Sequence, residues 1–409
     1  MLKKVQPVPL AEVAAYLAPF ASHFKRSEGR ESLERHVTGL LADIDCKNGE
    51  QIALAVAGTN SQRLQALLTE LQWDAGAVTE QRVKQLNREA TAGGGVLIVD
   101  DTGIPKQGTA SVGVAWQYSG TLGKVANCQV VVSCQYADAR YRWPVNVRLY
   151  LPESWTQDKA RCRRAQVPEE VTFATKPEIA LTLVDEAERW GVPYAAITAD
   201  SAYGGNLAFL AELERRQKLY VMAVPCDFGV QVARRAGAEV EQADTVLRRL
   251  PKRAWRTIHW RQGSRGSLRK KFVRVRCWRA SAEGRGVYGW LIGERPARGQ
   301  EGEWKYYFSN AGPQASRTAL VRIAHQRYPI EQFYQEAKGE LGWDQYEGRR
   351  WHGFHRHALL VCLAYSFLVL LRARQHRRGR GRPPRLFSPA PLVADHSGYP
   401  APGAGVVDH

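Results

Sequence analysis

The chain has 409 residues, 44% of them hydrophobic, which allows two or three domains around a large core and excludes wholesale disorder. Lys and Arg number 58 against 40 Asp and Glu, a net charge of +18 with a pI near 9.7. That balance favours a polyanionic partner, nucleic acid first and an anionic membrane surface second. Seven cysteines with no C-x-x-C pair support neither a disulfide framework nor a ribbon-type zinc site, and fit a reducing cytoplasm.

The first twenty residues, "MLKKVQPVPLAEVAAYLAPF", carry prolines at 7, 9 and 19 and an internal Glu12, so they lack the apolar core of a signal peptide. From about 30 to 90 apolar residues recur at three- and four-residue spacing in "ESLERHVTGLLADI", "GEQIALAVAG" and "NSQRLQALLTELQW", which predicts a small helical domain. Asn60 or Ser61 can cap the third of these helices. The two helices flanking "AGTN" resemble a helix-turn-helix that would point Gln62, Arg63 and Gln65 toward DNA, although any helical bundle has such turns.

After "TAGGG" the period changes to that of strands. "VLIVDD" (96–101) reads as a buried strand, and "SVGVAWQYSG", "CQVVVSCQYA" and "WPVNVRLYLP" follow as an antiparallel meander. "KPEIALTLVDEAERWG", "YAAITAD", "NLAFLAELERRQ" and "LYVMAVP" then alternate helix and strand, so the fold class is α/β, a mixed sheet covered by helices. Residues 250 to 310 turn strand-rich and basic, as an inserted β-subdomain would. Helices resume at about 314 and run to 374. Within them "ALLVCLAYSFLVLL" (358–371) is too short to span a bilayer and reads as a buried helix.

The tail from "RQHRRGRGRPPRL" onward is rich in Arg, Gly and Pro and is expected to be disordered. Its "RGRPP", with Arg380 and Arg382, has the form of an AT-hook core that can lie in a minor groove; a generic basic tail is the other reading. No G-x-x-x-x-G-K-[ST] loop is present, which disfavours a nucleotide cofactor.

Two aspartates follow buried strands. Asp100 ends "VLIV" and Asp200 ends "YAAITA", so both emerge at the sheet edge where ligands gather in open α/β sheets. Either could instead cap the turn that follows. A third acid comes from "YPIEQFYQEAKGELG", where Pro329 suits a first helical turn. Ile330, Phe333 and Tyr334 share the apolar face of that helix, and Glu331 and Lys338, seven residues apart, share another. Glu336 and Glu340 are expected to be solvated. Converging carboxylates raise one another's pKa values unless a cation, usually a divalent metal, neutralises them.

These stretches, "VLIVDDTGIPKQG", "SVGVAWQYSGTLGKVANCQVVV", "ITADSAYG" and "RYPIEQFYQEAKGELGWDQYEGRRWHGFHRH", resemble bacterial insertion-sequence transposases with a ribonuclease H-like DDE domain, nearest to the seven-oh-one type. The resemblance spans residues 96 to 357. It implies that Asp100 (with Asp101 as the alternative), Asp200 and Glu331 are catalytic and bind Mg²⁺, with Mn²⁺ able to substitute and two ions per site. It places Thr102 in the Asp-x-Thr motif as a DNA contact, and Arg327 and Lys338 at basic positions around the third acid as further catalytic residues that position phosphates. Where relatives carry a tyrosine seven residues before that acid, this chain has Ala324, with Tyr328 nearby.

The resemblance further implies cleavage and strand transfer of double-stranded DNA at transposon ends, in some relatives through a hairpin, by a homodimer on the DNA in the bacterial cytoplasm. It divides the chain into a helical DNA-binding domain (1–92), a ribonuclease H-like core (93–225), a β-rich insertion (226–311), the core's C-terminal helices (312–374) and the basic tail (375–409). In some relatives a tryptophan of the insertion stacks on a displaced base. Trp255, Trp260 and Trp278 are the candidates here, packing inside the subdomain being the alternative.

Lys106, Arg349, Arg350, His355 and Arg356 complete the expected DNA contacts. His352, His355 and His357 cannot share one helical face, so a zinc triad is not expected. A catalytically silent DNA-binding regulator or a ribonuclease H-like nuclease or resolvase are the rival readings. The first predicts a missing acid, and all three are present.

Overall fold

The computed structural model describes residues 11–120, 122–232, 239–263, 266–281, 284–296 and 302–377; Arg380, Arg382 and the "RGRPP" segment lie outside them. The chain begins with helices α1 (Ala11–Leu17), α2 (Ser27–Leu41), α3 (Gly49–Ala55), α4 (Ser61–Thr69) and α5 (Ala75–Glu89). Asn48, Asn60 and Asp74 accept hydrogen bonds from the N–H groups of Gln51, Arg63 and Ala77, side-chain caps that set where α3, α4 and α5 start. Asn60, not Ser61, caps α4.

The first sheet is built on β1 (Gly95–Pro105), β2 (Ala115–Ser119), β3 (Lys124–Ala137) and β4 (Arg142–Leu149). β3 pairs antiparallel with all three of the others, β1 on one side and β2 and β4 along the other, so the strands are antiparallel as expected but do not form a meander, in which β1 would lie beside β2. The short helices α6 (Glu153–Thr156) and α7 (Lys159–Arg164) lead to α8 (Lys176–Arg189), which is opened by a capping box between Thr175 and Glu178. α8 covers β1, β3 and β4 and returns the chain to β5 (Tyr194–Ala199), parallel to β1. This is the mixed ribonuclease H-like sheet expected from the sequence.

Two further helices, α9 (Ser201–Gly204) and α10 (Leu207–Arg215), precede β6 (Val221–Val224). The sequence pattern adds β6 to the first sheet, but the contact there is a single parallel bridge, Ile197 to Tyr220, and β6 itself pairs with a strand 80 residues downstream, Phe308 opposite Met222. It thereby opens a second, antiparallel sheet with β7 (Gly229–Gln231), β8 (Glu241–Gln242), β9 (Arg256–Gly263), β10 (Gly266–Ser281), β11 (Gly284–Arg295) and β12 (Lys305–Ser309), interrupted by α11 (Ala243–Arg248).

Helices α12 (Arg317–His325), α13 (Tyr328–Leu341) and α14 (Trp351–Arg377) complete the fold. α14 is long and apolar enough to cross a membrane by length and composition, but 83% of its apolar window is buried against α2, α4, α5, α13 and β4, as expected for a core helix. One hydrophobic core runs from Val13 to Ala373. The N-terminal helices are tied into it by polar bonds as well. Tyr16 donates to the Leu363 carbonyl at 3.1 Å, and the buried Arg82 guanidinium donates to the carbonyls of Pro144 and Val145.

Candidate active site

β1 lies between β3 and β5, and its parallel pairing with β5 ends at Val99 opposite Ala199. Asp100 and Asp200 are therefore the next residues along adjacent strands, which lie about 4.8 Å apart. Asp200 follows the end of β5, but Asp100 does not end its strand as the sequence pattern suggested, because β1 runs on against β3 to Pro105 opposite Cys128. Asp200 also caps α9, accepting from the N–H groups of Ala202 and Tyr203 at 3.0 and 3.3 Å, so the capping reading and the site reading hold together. Asp100 is 9% exposed. Burial, with Asp200 and Asp101 adding negative charge, pushes its carboxyl up to about 8 against the pull of Arg327.

α13 brings the third acid. Pro329 sits in its first turn, and Ile330, Phe333, Tyr334, Ala337 and Leu341 form its buried face. Arg327, just before the helix, spans two carboxylates: one guanidinium nitrogen donates to Asp100 Oδ2 and the other to Glu331 Oε1, each at 2.7 Å. A single cation thus joins Asp100, 227 positions before it in the chain, to the helix turn that follows it. Lys338, two turns on, reaches β1 rather than the acids, donating to Thr102 Oγ1 at 2.9 Å and to the Gly103 carbonyl at 3.0 Å. Behind Asp100, its cross-strand partner Ser133 shares a 2.6 Å hydrogen bond with the Tyr334 hydroxyl, which fastens α13 to the sheet.

Asp101 engages a different set. Lys176 at the start of α8 lies 3.2 Å from Oδ1, and the Tyr203 hydroxyl donates to Oδ2 at 3.2 Å. Sequence reasoning missed Lys176, Tyr203, Ser133 and Tyr334. Tyr203 alone carried a signal, lying three residues after Asp200 in "DSAYG"; the others are recognisable only once the strands are paired.

Among the described residues no three His, Cys, Asp or Glu side chains converge closely enough to hold a metal ion. The donors nevertheless suit a hard divalent cation. All are carboxylate oxygens, and the buried Asp100, flanked by two more aspartates, is short of positive charge even with Arg327 beside it.

Comparison with known proteins bears on the same segments. The DDE superfamily endonuclease family matches residues 19–267, more than half of the chain and inclusive of Asp100 and Asp200. The chain belongs to this family. A transposase DDE domain also matches residues 175–367, which include Asp200, Glu331 and Lys338. A protein from Microchaete diplosiphon described as a probable transposase for insertion sequence element IS701 is 24% identical over 363 residues, 84% of each chain. DDE enzymes of this kind act on DNA and normally use a divalent metal.

In this member of the family several of the expected DNA contacts turn inward. Trp255 is 4% exposed and packs edge-on to Trp304, so it is a core residue of the second sheet. Trp260 and Trp278 are only half-buried: Trp260 stacks on His325 with ring centres 4.2 Å apart at the wall of a cavity, and Trp278 packs on Tyr288. His355 uses both ring nitrogens within the fold, toward the Trp351 carbonyl and the Leu149 N–H, which leaves neither for DNA. Arg356 reaches the carbonyls of Leu67 and Leu68 and lies over Trp73, tying α14 to α4.

Lys106 donates to the Tyr346 carbonyl, Thr102 is buried under Lys338, and Arg63 pairs with Glu31 at 2.9 Å. Arg349 and Arg350 are exposed. Glu336, expected in solvent, is instead half-buried, accepting from the Tyr365 hydroxyl at 2.8 Å with Arg142 3.6 Å away; Glu340 is exposed as expected.

Proposed function

We propose that the chain is a transposase that binds the ends of an insertion sequence, cuts them by metal-dependent phosphodiester hydrolysis and transesterification, and joins the 3′ ends to target DNA, acting as a dimer in the bacterial cytoplasm. One observation carries this reading: Asp100, within β1, and Asp200, just past the end of β5, lie side by side where the parallel pairing of the two strands stops, and Glu331 is tied to Asp100 through Arg327.

Asp100, Asp200 and Glu331 are the residues that would hold Mg²⁺, or Mn²⁺ in its place. The ions, when bound, supply an activated oxygen nucleophile and relief of charge at the scissile phosphate. The protein's own groups do the rest. The β1–β5 pair sets the spacing of the two aspartates. Tyr334 and Ser133 hold α13 against β1, so Glu331 keeps its distance from them. Arg327 offsets the negative charge of the acids and presents a planar donor at the place where a DNA phosphate arrives.

The test incubates the purified protein with DNA carrying the element's end and Mg²⁺ or Mn²⁺, beside Asp200→Asn, and resolves the products on a denaturing gel. Cuts at the element boundary that vanish in the variant are expected. Binding with no cleavage in either metal would instead make the chain a DNA-binding regulator.

A further inference from the structure

α13 has a second polar side. Pro329 lies roughly 200° around the helix from Glu331, and Glu336 falls within about 20° of Pro329, so this side faces away from the acids. Here the chain forms a cavity of about 540 Å³ lined by five arginines from four elements: Arg140 and Arg142 at the β3–β4 turn, Arg261 on β9, Arg322 on α12 and Arg372 on α14. An adjoining recess shares Arg140 and Arg372 and adds Arg377, which extends the basic surface into a strip.

Little in the protein neutralises this strip. The acid that lines it, Asp138, is already engaged by the N–H groups of Ala92, Arg140 and Tyr141 and by the Tyr136 hydroxyl. Arg142 lies 3.6 Å from Glu336, which also serves Tyr365. Among the described residues Arg140, Arg322 and Arg372 have no ion-pair partner, and the Nε atoms of Arg142 and Arg372 are buried with no hydrogen-bond acceptor. Arg142 and Arg372 repel each other, and each guanidinium at the strip adds to the cost until a polyanion arrives.

We propose that this strip is a second DNA contact, a track for the phosphates of a duplex held on the far side of α13 from the carboxylates. It rests on the reading that the chain acts on DNA as a transposase, and it adds a place for the DNA that the acids do not reach. Guanidinium groups match phosphate in two-point geometry, and such contacts hold DNA without reading its sequence. None of the six arginines was among the DNA contacts expected from the sequence, because they come from segments 140 to 377 and meet only in the folded chain.

The test uses Arg140→Gln/Arg322→Gln, two exposed positions whose loss leaves no acid unpaired. Binding of a labelled duplex of arbitrary sequence is followed by fluorescence anisotropy across a KCl series in EDTA, so that cleavage does not enter. The slope of log affinity against log salt should fall by about two, at about 0.9 for each lost phosphate contact, with affinity at fixed salt down tenfold or more. Arg215→Gln/Arg248→Gln removes the same charge elsewhere, +18 less two in each case, and should keep the wild-type slope. An unchanged slope in the first variant, or an equal loss in the control, overturns the track. Cleavage lost in Asp200→Asn is a separate result, so the track can fail while the catalytic reading stands, and the reverse.

Discussion

Arg327 sets the charge balance of the site at the scale of single residues. Its two nitrogens answer two carboxylates at 2.7 Å each, a bridge that the single ammonium of lysine cannot reproduce. Arg327→Ala should lower DNA cleavage by about 10²–10³, the size of loss seen when one preorganised charge contact is removed, and Arg327→Lys should recover only a small part of it. Single-turnover cleavage rates check this, and a lysine variant as fast as wild type would remove the bridge from the account. Helical spacing was enough to put Glu331 and Lys338 on one side of α13. It could not tell that Glu336 finds Tyr365, because that partner lies 29 residues away on another helix.

Among the elements, α13 is held at both ends. It begins at Tyr328 with Pro329 in its first turn and stops at Gly342, whose φ of 66° is left-handed backbone and whose added Cβ would lie 2.6 Å from the Cβ of Lys47. Gly342→Ala should therefore destabilise the protein by roughly 1–3 kcal/mol, read as a lower urea midpoint, and should slow cleavage because α13 carries Glu331. An unshifted midpoint would show that the turn relaxes freely. The strands give the same lesson in another form. Alternation and turn residues marked β1 to β4 and β9 to β12, while β6 was recognisable as a strand but not as a member of the second sheet, since pairing with β12 is set by chain packing 80 residues on.

For the whole molecule, the buried histidines predict a pH dependence. His36 is pushed down to about 3 by burial and by His357 beside it, and His357 is pushed down to about 4, chiefly by burial. Both therefore stay neutral in the folded chain while the unfolded chain takes up protons near 6.5. Stability is full above that value and falls as pH drops toward 4, by up to about 1.4 kcal/mol per pH unit for each histidine. Urea midpoints at several pH values from 7.5 to 4.5 should show the fall, and His36→Leu should flatten it by one proton's worth. A midpoint that holds constant over that range would mean that the two rings are hydrated.

The sequence by itself determined the kinds of element, the strand that carries Asp100 and the strand that leads to Asp200, the helix that carries Glu331, and a basic surface suited to DNA. These are local or summed properties: a period of two or of 3.6, a proline at a first turn, a count of charges. The folded chain alone decided that Arg327 joins Asp100 to Glu331, that Lys176 and Tyr203 hold Asp101, that Trp255, His355 and Arg356 turn inward, and that six arginines form one strip. Each of those depends on side chains brought together from distant positions by the packing of the core, and no local pattern records which distant residue will arrive.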